Sequence, residues 1–290
     1  MKVLIIGGVA AGTKAAAKLK RQDRSAEVMI ITKDQDISYA GCGLPYYVGG
    51  MIEKREALIV NTPQKYAGLT GVKVQTGREA VGLDASAKTV TVRHTDTGEE
   101  EACPYDRLVI ATGASPIIPP VEGVKLEGVF PMRTPENAVE ARAYADARQA
   151  KTAVVVGGGF IGLELAENLL EKGVSVTVVD AAPQLLPGVF DPEMAGYIRR
   201  HLESKGIRVL TGVKVEKIAG EKAAAAVETS AGVLPAELVI LSVGIRPNTA
   251  FLEGSGLKME RGKILVDAKM QTNLPNVYAA GDCVLVTNRL

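Results

Sequence analysis

The sequence predicts an α/β protein built from two similar parallel-sheet units, and three observations carry that prediction. Lys2-Val3-Leu4-Ile5-Ile6 leads into Gly7-Gly8-Val9-Ala10-Ala11-Gly12, and 150 residues later Thr152-Ala153-Val154-Val155-Val156 leads into Gly157-Gly158-Gly159-Phe160-Ile161-Gly162. Each apolar run is continuous rather than alternating, as a strand buried on both faces of a parallel sheet requires. The 290 residues, 47% hydrophobic and 23% charged, suit two compact domains and are too apolar for disorder.

Taken in order, each glycine turn is followed by an Ala- or Leu-rich helical stretch and a second strand, Glu27 to Thr32 and Val174 to Asp180. In that context a G-x-G-x-x-G signature has mechanical meaning: backbone N–H groups and a helix N-terminus come close to a pyrophosphate. Outside it, a glycine turn between strand and helix is common in any α/β protein. The second copy matches in full through Gly157, Gly159 and Gly162. Asp180 closes the next strand 23 residues after Gly157, where a carboxylate accepts hydrogen bonds from ribose hydroxyls. Ala181 and Ala182 follow, with no arginine for a 2′-phosphate, which points to NADH rather than NADPH. In the first copy Val9 stands at the second glycine and Thr32 where an acid would close the strand. The adenosine-side contact is left to Lys33, Asp34 or backbone groups. Two later runs, Tyr105 to Gly113 and Asn276 to Asp282, read as strands ending in small residues and support a large nucleotide on the first half. Pro116, Pro119 and Pro120 stiffen a crossover, and Pro247 marks the return.

Composition excludes several classes of function. With 34 Lys+Arg against 33 Asp+Glu there is no overall basic field to hold nucleic acid or an anionic membrane. A 4% aromatic fraction without Trp disfavours stacking platforms for single strands. The opening apolar run is too short for a signal h-region, and no segment reaches 18 uninterrupted apolar residues, so the expected location is cytoplasmic. Cys42, Cys103 and Cys283 are odd in number and form neither a C-x-x-C nor a zinc ligand set, so no metal is expected.

Cys42 lies in Ser38-Tyr39-Ala40-Gly41-Cys42-Gly43-Leu44-Pro45-Tyr46-Tyr47, where glycines allow close approach of a ligand and Pro45 suits the first turn of a helix. A thiol at a helix N-terminus is activated as a thiolate, whereas a lone Cys taken by itself is as readily a small buried hydrophobe. Cys103 and Cys283 read as structural.

In sequence order, the first glycine turn, Cys42-Gly43-Leu44-Pro45-Tyr46, Ala111-Thr112-Gly113, the second glycine turn, Gly244-Ile245-Arg246-Pro247-Asn248 and Ala280-Gly281-Asp282 span nearly all of the chain. This set resembles the FAD-dependent pyridine nucleotide-disulfide oxidoreductases, in particular their single-cysteine branch of coenzyme A-disulfide reductases, NADH oxidases and persulfide reductases. The resemblance implies two Rossmann-like dinucleotide-binding domains, an FAD domain over residues 1–115 and 245–290 with an NADH domain, 116–244, inserted. It implies FAD contacts at Gly7, Ala10, Ala11, Gly12, Thr32, Lys33, Cys42, Val81, Ala111, Thr112, Gly113, Arg133 and Asp282. For NADH it implies Gly157, Gly159, Ile161, Gly162, Glu164, Asp180 and Gly244.

Lys14, Lys18 and Arg21 fall at i, i+4 and i+7 on the first helix, which by itself reads as a solvated face, Lys20 and Arg24 being basic too. The resemblance implies that this helix holds the phosphates of coenzyme A, and it makes these three and Ser38 candidate substrate contacts. No second cysteine stands at C-x4-C or C-x-x-C spacing, so Cys42 pairs with an outside sulfur or cycles through a sulfenic acid. NADH peroxidases and many water-forming oxidases carry a catalytic His where this chain has Ala10, and His94 and His201 lie elsewhere. The expected function is therefore transfer of electrons from NADH through FAD to a small-molecule disulfide or persulfide at Cys42, with coenzyme A disulfide the favoured substrate. An NADH oxidase, a polysulfide or persulfide reductase, and a truncated flavin-binding fragment without activity stay open. Family members are homodimers and continue after the Gly-Asp motif into an interface domain, on the order of 100 residues. Only Cys283 to Leu290 follow here, so the C-terminal dimerisation domain reads as absent.

Overall fold

The computed structural model describes residues 1–286, so residues 287–290, the end of the expected 245–290 segment, lie outside the described residues. The chain divides into two compact units, the first formed by Met1–Tyr39, Ile59–Ser115 and the chain from Arg246 on, the second by Ala40–Leu58 and Pro116–Ile245. The chain crosses from the first unit to the second after Ser115 and returns after Ile245. Ala40–Leu58 is the difference: expected with the first unit, it packs in the second.

In the first unit a five-stranded parallel sheet runs in the order Val277–Ala279, Arg107–Ile110, Lys2–Ile6, Glu27–Ile31, Lys73–Gln75. The first strand is buried from Val3 to Ile6 because its two faces meet different layers. Val3 and Ile5 pack with Ala16 of helix Ala10–Gln22 and with Tyr66, whereas Leu4 and Ile6 pack with Val90 and Val92 of a three-stranded antiparallel sheet. A period-2 strand between two apolar layers has no face left for polar residues. Full burial of one such Ile contributes roughly 1.5–3 kcal/mol.

The second unit repeats this plan. Its parallel sheet runs Arg208–Thr211, Ser175–Asp180, Thr152–Val156, Leu238–Leu241, Val129–Pro131. Val154 and Val156 face a second antiparallel sheet, against Ile218, Val227 and Leu234. Helices Pro135–Arg148 and Phe160–Glu171 belong to the same unit. The segment Ala40–Leu58 joins it through its helix Leu44–Gly49: a Cβ on Gly49 would lie 2.6 Å from Asn168 Cβ, on helix Phe160–Glu171. Only a glycine permits that approach, which is why the segment belongs here.

Candidate functional site

The two glycine turns are alike down to individual atoms. Gly7 and Gly157 both have φ +112°, and their N–H groups donate to Ile31 O and Val179 O at 2.8 Å. A Cβ on Gly7 would stand 2.0 Å from Ala111 O, and one on Gly157 2.4 Å from Ser242 O. The third glycines, Gly12 and Gly162, would place a Cβ 1.9 and 2.0 Å from Gly7 O and Gly157 O, so each helix rests directly on the strand end. Beyond each second strand a residue of left-handed conformation, Ser38 or Leu186, both with φ 49°, donates its N–H to Gly8 O or Gly158 O. Ser38, expected at the substrate, thus has a backbone role, and its Oγ accepts a long 3.4 Å bond from Asn61 Nδ2.

The match identifies one residue that the sequence reading passed over, Ser242, as the partner of Ala111. Ala111 and Ser242 occupy corresponding places, their N–H groups donating to Ile6 O and Val156 O at 2.8 Å. Ser242-Val243-Gly244 is therefore the second unit's counterpart of Ala111-Thr112-Gly113, and both glycines have positive φ, 63° and 109°. The short Ser-Val-Gly echo of Ala-Thr-Gly was the available signal.

In the first unit the turn brings together Gly7, Gly12, Ala111 and Thr112, and Gly281 joins them, its Cβ position lying 3.2 Å from Ala11 Cβ. Asp282 follows on the exposed side of that turn. Thr32 is buried with its methyl over Gly8, and Lys33 is exposed. Val81 sits at a β-bulge, where the pairing shifts between Ala80 and Gly82, a device that re-aims side chains near sites. Arg133 and Cys42, expected with the flavin set, belong to the second unit.

In the second unit Asp180 occupies the place of Thr32. Its Oδ2 accepts the Gly158 N–H at 2.6 Å and its Oδ1 accepts the Ala182 N–H at 2.7 Å, so the carboxylate is oriented before any ligand arrives. Gly159 has no protein atom within 4 Å of its Cβ position, and Ile161 is exposed beside it. Glu164 is half-buried one turn further along the helix.

Cys42 is exposed, in a one-turn 3-10 segment, Gly41–Gly43, ahead of helix Leu44–Gly49, where Pro45 occupies the first turn as expected. Gly43 N–H donates to Ala40 O and Ala40 N–H to Leu58 O, tying the turn at both ends. Cys103 and Cys283 are buried, and that burial raises both thiols above the ordinary value. Lys14, Lys18 and Arg21 are exposed on one helix, while Lys20 is committed to Arg24 O and Ala26 O. Among the described residues no His/Cys/Asp/Glu group could hold a metal ion, and no helix is long and apolar enough to cross a membrane.

A family model described as pyridine nucleotide-disulphide oxidoreductase matches residues 1–290. The chain belongs to this family. This oxidoreductase-family chain is similar to the NADH oxidase of Methanocaldococcus jannaschii, 38% identical over 287 residues, which cover 99% of this chain and 64% of the relative. It is similar to the coenzyme A disulfide reductase of Staphylococcus haemolyticus, 31% identical over 290 residues, with the same two coverages of 99% and 64%. The solved structure of an NAD-dependent persulfide reductase from A. fulgidus superposes with a TM-score of 0.93 at 38% identity, over 98% of this chain and 53% of that one. The chain thus spans about 64% of the length of these curated relatives.

Membership in the pyridine nucleotide-disulphide oxidoreductases implies FAD and NAD(P)H, and the residues present fit two dinucleotides. Helices Ala10–Gln22 and Phe160–Glu171 start without a side-chain cap and without an acid in the first turn. By contrast, Thr62, Thr134 and Asp191 cap helices Pro63–Thr70, Pro135–Arg148 and Pro192–Ser204. Free N–H groups, a positive dipole end and small residues above them are what a pyrophosphate requires.

Proposed function

We propose that the chain is the nucleotide-binding and thiol-bearing part of an NAD(P)H-dependent flavoprotein that reduces a disulfide or persulfide, with coenzyme A disulfide the first substrate to test. The observation that carries this reading is Cys42: an exposed thiol on a glycine turn, with the other two cysteines buried. In this reading the first unit holds FAD through Gly7, Ala10, Ala11, Gly12, Ala111, Thr112, Gly113 and Asp282, with Val81 as a further contact. The second holds NADH through Gly157, Gly159, Ile161, Gly162, Glu164, Asp180 and Gly244. The oriented Asp180 carboxylate accepts ribose hydroxyls, and Ala181 and Ala182 leave a 2′-phosphate without a cation. Lys14, Lys18 and Arg21 supply positive charge for substrate phosphates.

Flavin and nicotinamide, when bound, supply hydride transfer and two-electron storage; the protein orients and tunes. Cys42 Sγ, as thiolate, attacks one sulfur of the substrate disulfide. A Cys42–sulfur bond forms as the substrate S–S bond breaks, and the departing thiolate takes a proton. Two electrons from NADH then cleave the mixed disulfide, releasing the second thiol and restoring Cys42. One NADH and one proton are consumed for each disulfide, giving two thiols. Replacement Cys42→Ser is expected to abolish NADH-dependent reduction of coenzyme A disulfide while leaving NADH binding intact; full activity in that variant would end this reading. An NADH oxidase is the second reading, favoured by the similarity to a relative of that name. It predicts oxygen-dependent NADH consumption without any added disulfide.

A further inference from the structure

We propose that Arg142 and Lys172, held by Asp146, are positioning residues for Cys42. The proposal rests on the reading of Cys42 as the reactive thiol, and the geometry behind it lies wholly in the second unit.

Helix Leu44–Gly49 has six residues, far too few to be stable alone, and its last carbonyls have no partner within the helix. Tyr46 O is satisfied locally by the N–H groups of Gly50 and Ile52, each at 3.1 Å, with Gly50 left-handed at φ 95°. Tyr47 O accepts Arg142 Nη1 at 3.2 Å beside the Gly50 N–H, and Val48 O accepts Lys172 Nζ at 3.4 Å. The same Arg142 Nη1 reaches Ile52 O at 2.9 Å and Glu53 O at 3.1 Å, so it holds the turn after the helix as well as the helix end. Its guanidinium lies 4.7 Å from the centroid of the Tyr47 ring.

Both cations converge on one carboxylate: Lys172 Nζ stands 2.6 Å from Asp146 Oδ1, and Arg142 Nε 3.6 Å from Asp146 Oδ2. The two cationic side chains are 22% exposed and that of Asp146 50%, so the pairs lie partly in solvent and orient the cations more than they stabilise the fold. Positive charge at a helix C-terminus is favourable in its own right. Cys42 precedes the helix by two residues, its turn closed by the Gly43 N–H bond to Ala40 O. The far end of this short rod is therefore where its direction is set. Lys172 is also the C-cap of helix Phe160–Glu171, whose N-cap is Gly159, so the cysteine segment is docked on the same helix that follows the second glycine turn.

The test uses the full 290-residue chain loaded with flavin and measures the rate of Cys42 alkylation by iodoacetamide, followed by peptide mass, together with NADH affinity. In Arg142→Met the alkylation rate is expected to change by about threefold or more while NADH affinity stays within about twofold, and Arg142→Lys is expected to recover part of the parent rate, its ammonium replacing the Nη1 bonds to the carbonyls but neither the Nε pair nor the ring contact. If Arg142→Met does not fold, Lys172→Met takes its place under the same criteria. An alkylation rate that shifts less than threefold, a parallel loss of NADH affinity, or an Arg142→Lys variant no better than Arg142→Met would overturn the proposal. Disulfide reduction is assayed separately: a Cys42→Ser chain that still reduces disulfide would defeat the functional reading while the alkylation result stands.

Discussion

Substituting Gly162 by Ala and Gly159 by Ala separates the packing role of the second turn from its binding role. A Cβ on Gly162 would stand 2.0 Å from Gly157 O and 2.7 Å from Ser242 Oγ, against the 3.0 Å below which real Cβ contacts essentially never occur. The carbonyl is backbone and cannot swing away, so the helix start must retreat by about 1 Å. Overpacking of this kind costs roughly 1–3 kcal/mol, the upper end suiting a backbone neighbour. Better helix propensity of Ala returns about 1 kcal/mol. The net expectation is about 2 kcal/mol of destabilisation, or about 1 M off the urea midpoint for an m-value near 2 kcal/mol/M.

Gly159 has φ −83° and an empty Cβ position, so Ala fits there without strain. Its stability is expected to stay within about 0.5 kcal/mol of the parent, the lost glycine entropy and the weaker cap nearly cancelling. Because the open space is where a pyrophosphate would approach, Gly159→Ala is expected to weaken NADH binding by about tenfold, read by fluorescence titration. A Gly162→Ala protein as stable as the parent would refute the close helix–strand contact. A Gly159→Ala protein with parent NADH affinity would refute the placement of the nucleotide.

Three further outcomes follow from the same geometry. Removing the oriented carboxylate and adding a cation, in Asp180→Ala with Ala181→Arg, is expected to shift the ratio of NADH to NADPH affinity toward NADPH by about 100-fold, measured by titration with both. Iodoacetamide at neutral pH is expected to modify Cys42 in the folded chain while Cys103 and Cys283 react only after denaturation, counted by intact mass. The alkaline side of the stability profile provides the third. Burial raises Cys103, Cys283, Tyr66 and Tyr105 above their ordinary values. In the unfolded chain the thiols lose protons at about pH 8.5 and the phenols near pH 10. There the unfolded state binds fewer protons than the folded one, so stability is full below about pH 8.5 and falls as pH rises beyond it. A urea midpoint that did not fall between pH 8 and pH 10.5 would contradict this.

Much of the architecture was legible because strand burial leaves a direct mark on sequence. Val3 to Ile6 and Ala153 to Val156 are apolar at every position since each faces a helix on one side and an antiparallel sheet on the other. Gly7, Gly12, Gly157 and Gly162 were legible for a similar reason, a carbonyl oxygen standing where their Cβ would be. Ser38 was a different matter: the backbone bond to Gly8 O is made by the main chain, and a Ser at φ 49° carries no glycine to announce it. The placement of Ala40–Leu58 was hidden as well. It depends on Gly49 meeting Asn168 and on Arg142 and Lys172 reaching carbonyls about 90 and 124 residues away in the chain, and neither contact has a local pattern. Asp180 was foreseen as an acid closing a strand, but its orientation by Gly158 and Ala182 amides became visible only in three dimensions.

The central claim is that electrons from NADH reach a substrate disulfide through Cys42. Its most direct test is an anaerobic titration of the flavin-loaded chain, first with NADH and then with coenzyme A disulfide, in the parent and in Cys42→Ser. The account predicts that NADH bleaches the yellow absorbance in both proteins, and that the disulfide restores it in the parent alone, with two thiols released per NADH. Failure of NADH to bleach the parent, or recovery of the colour in Cys42→Ser at the parent's rate, would contradict it.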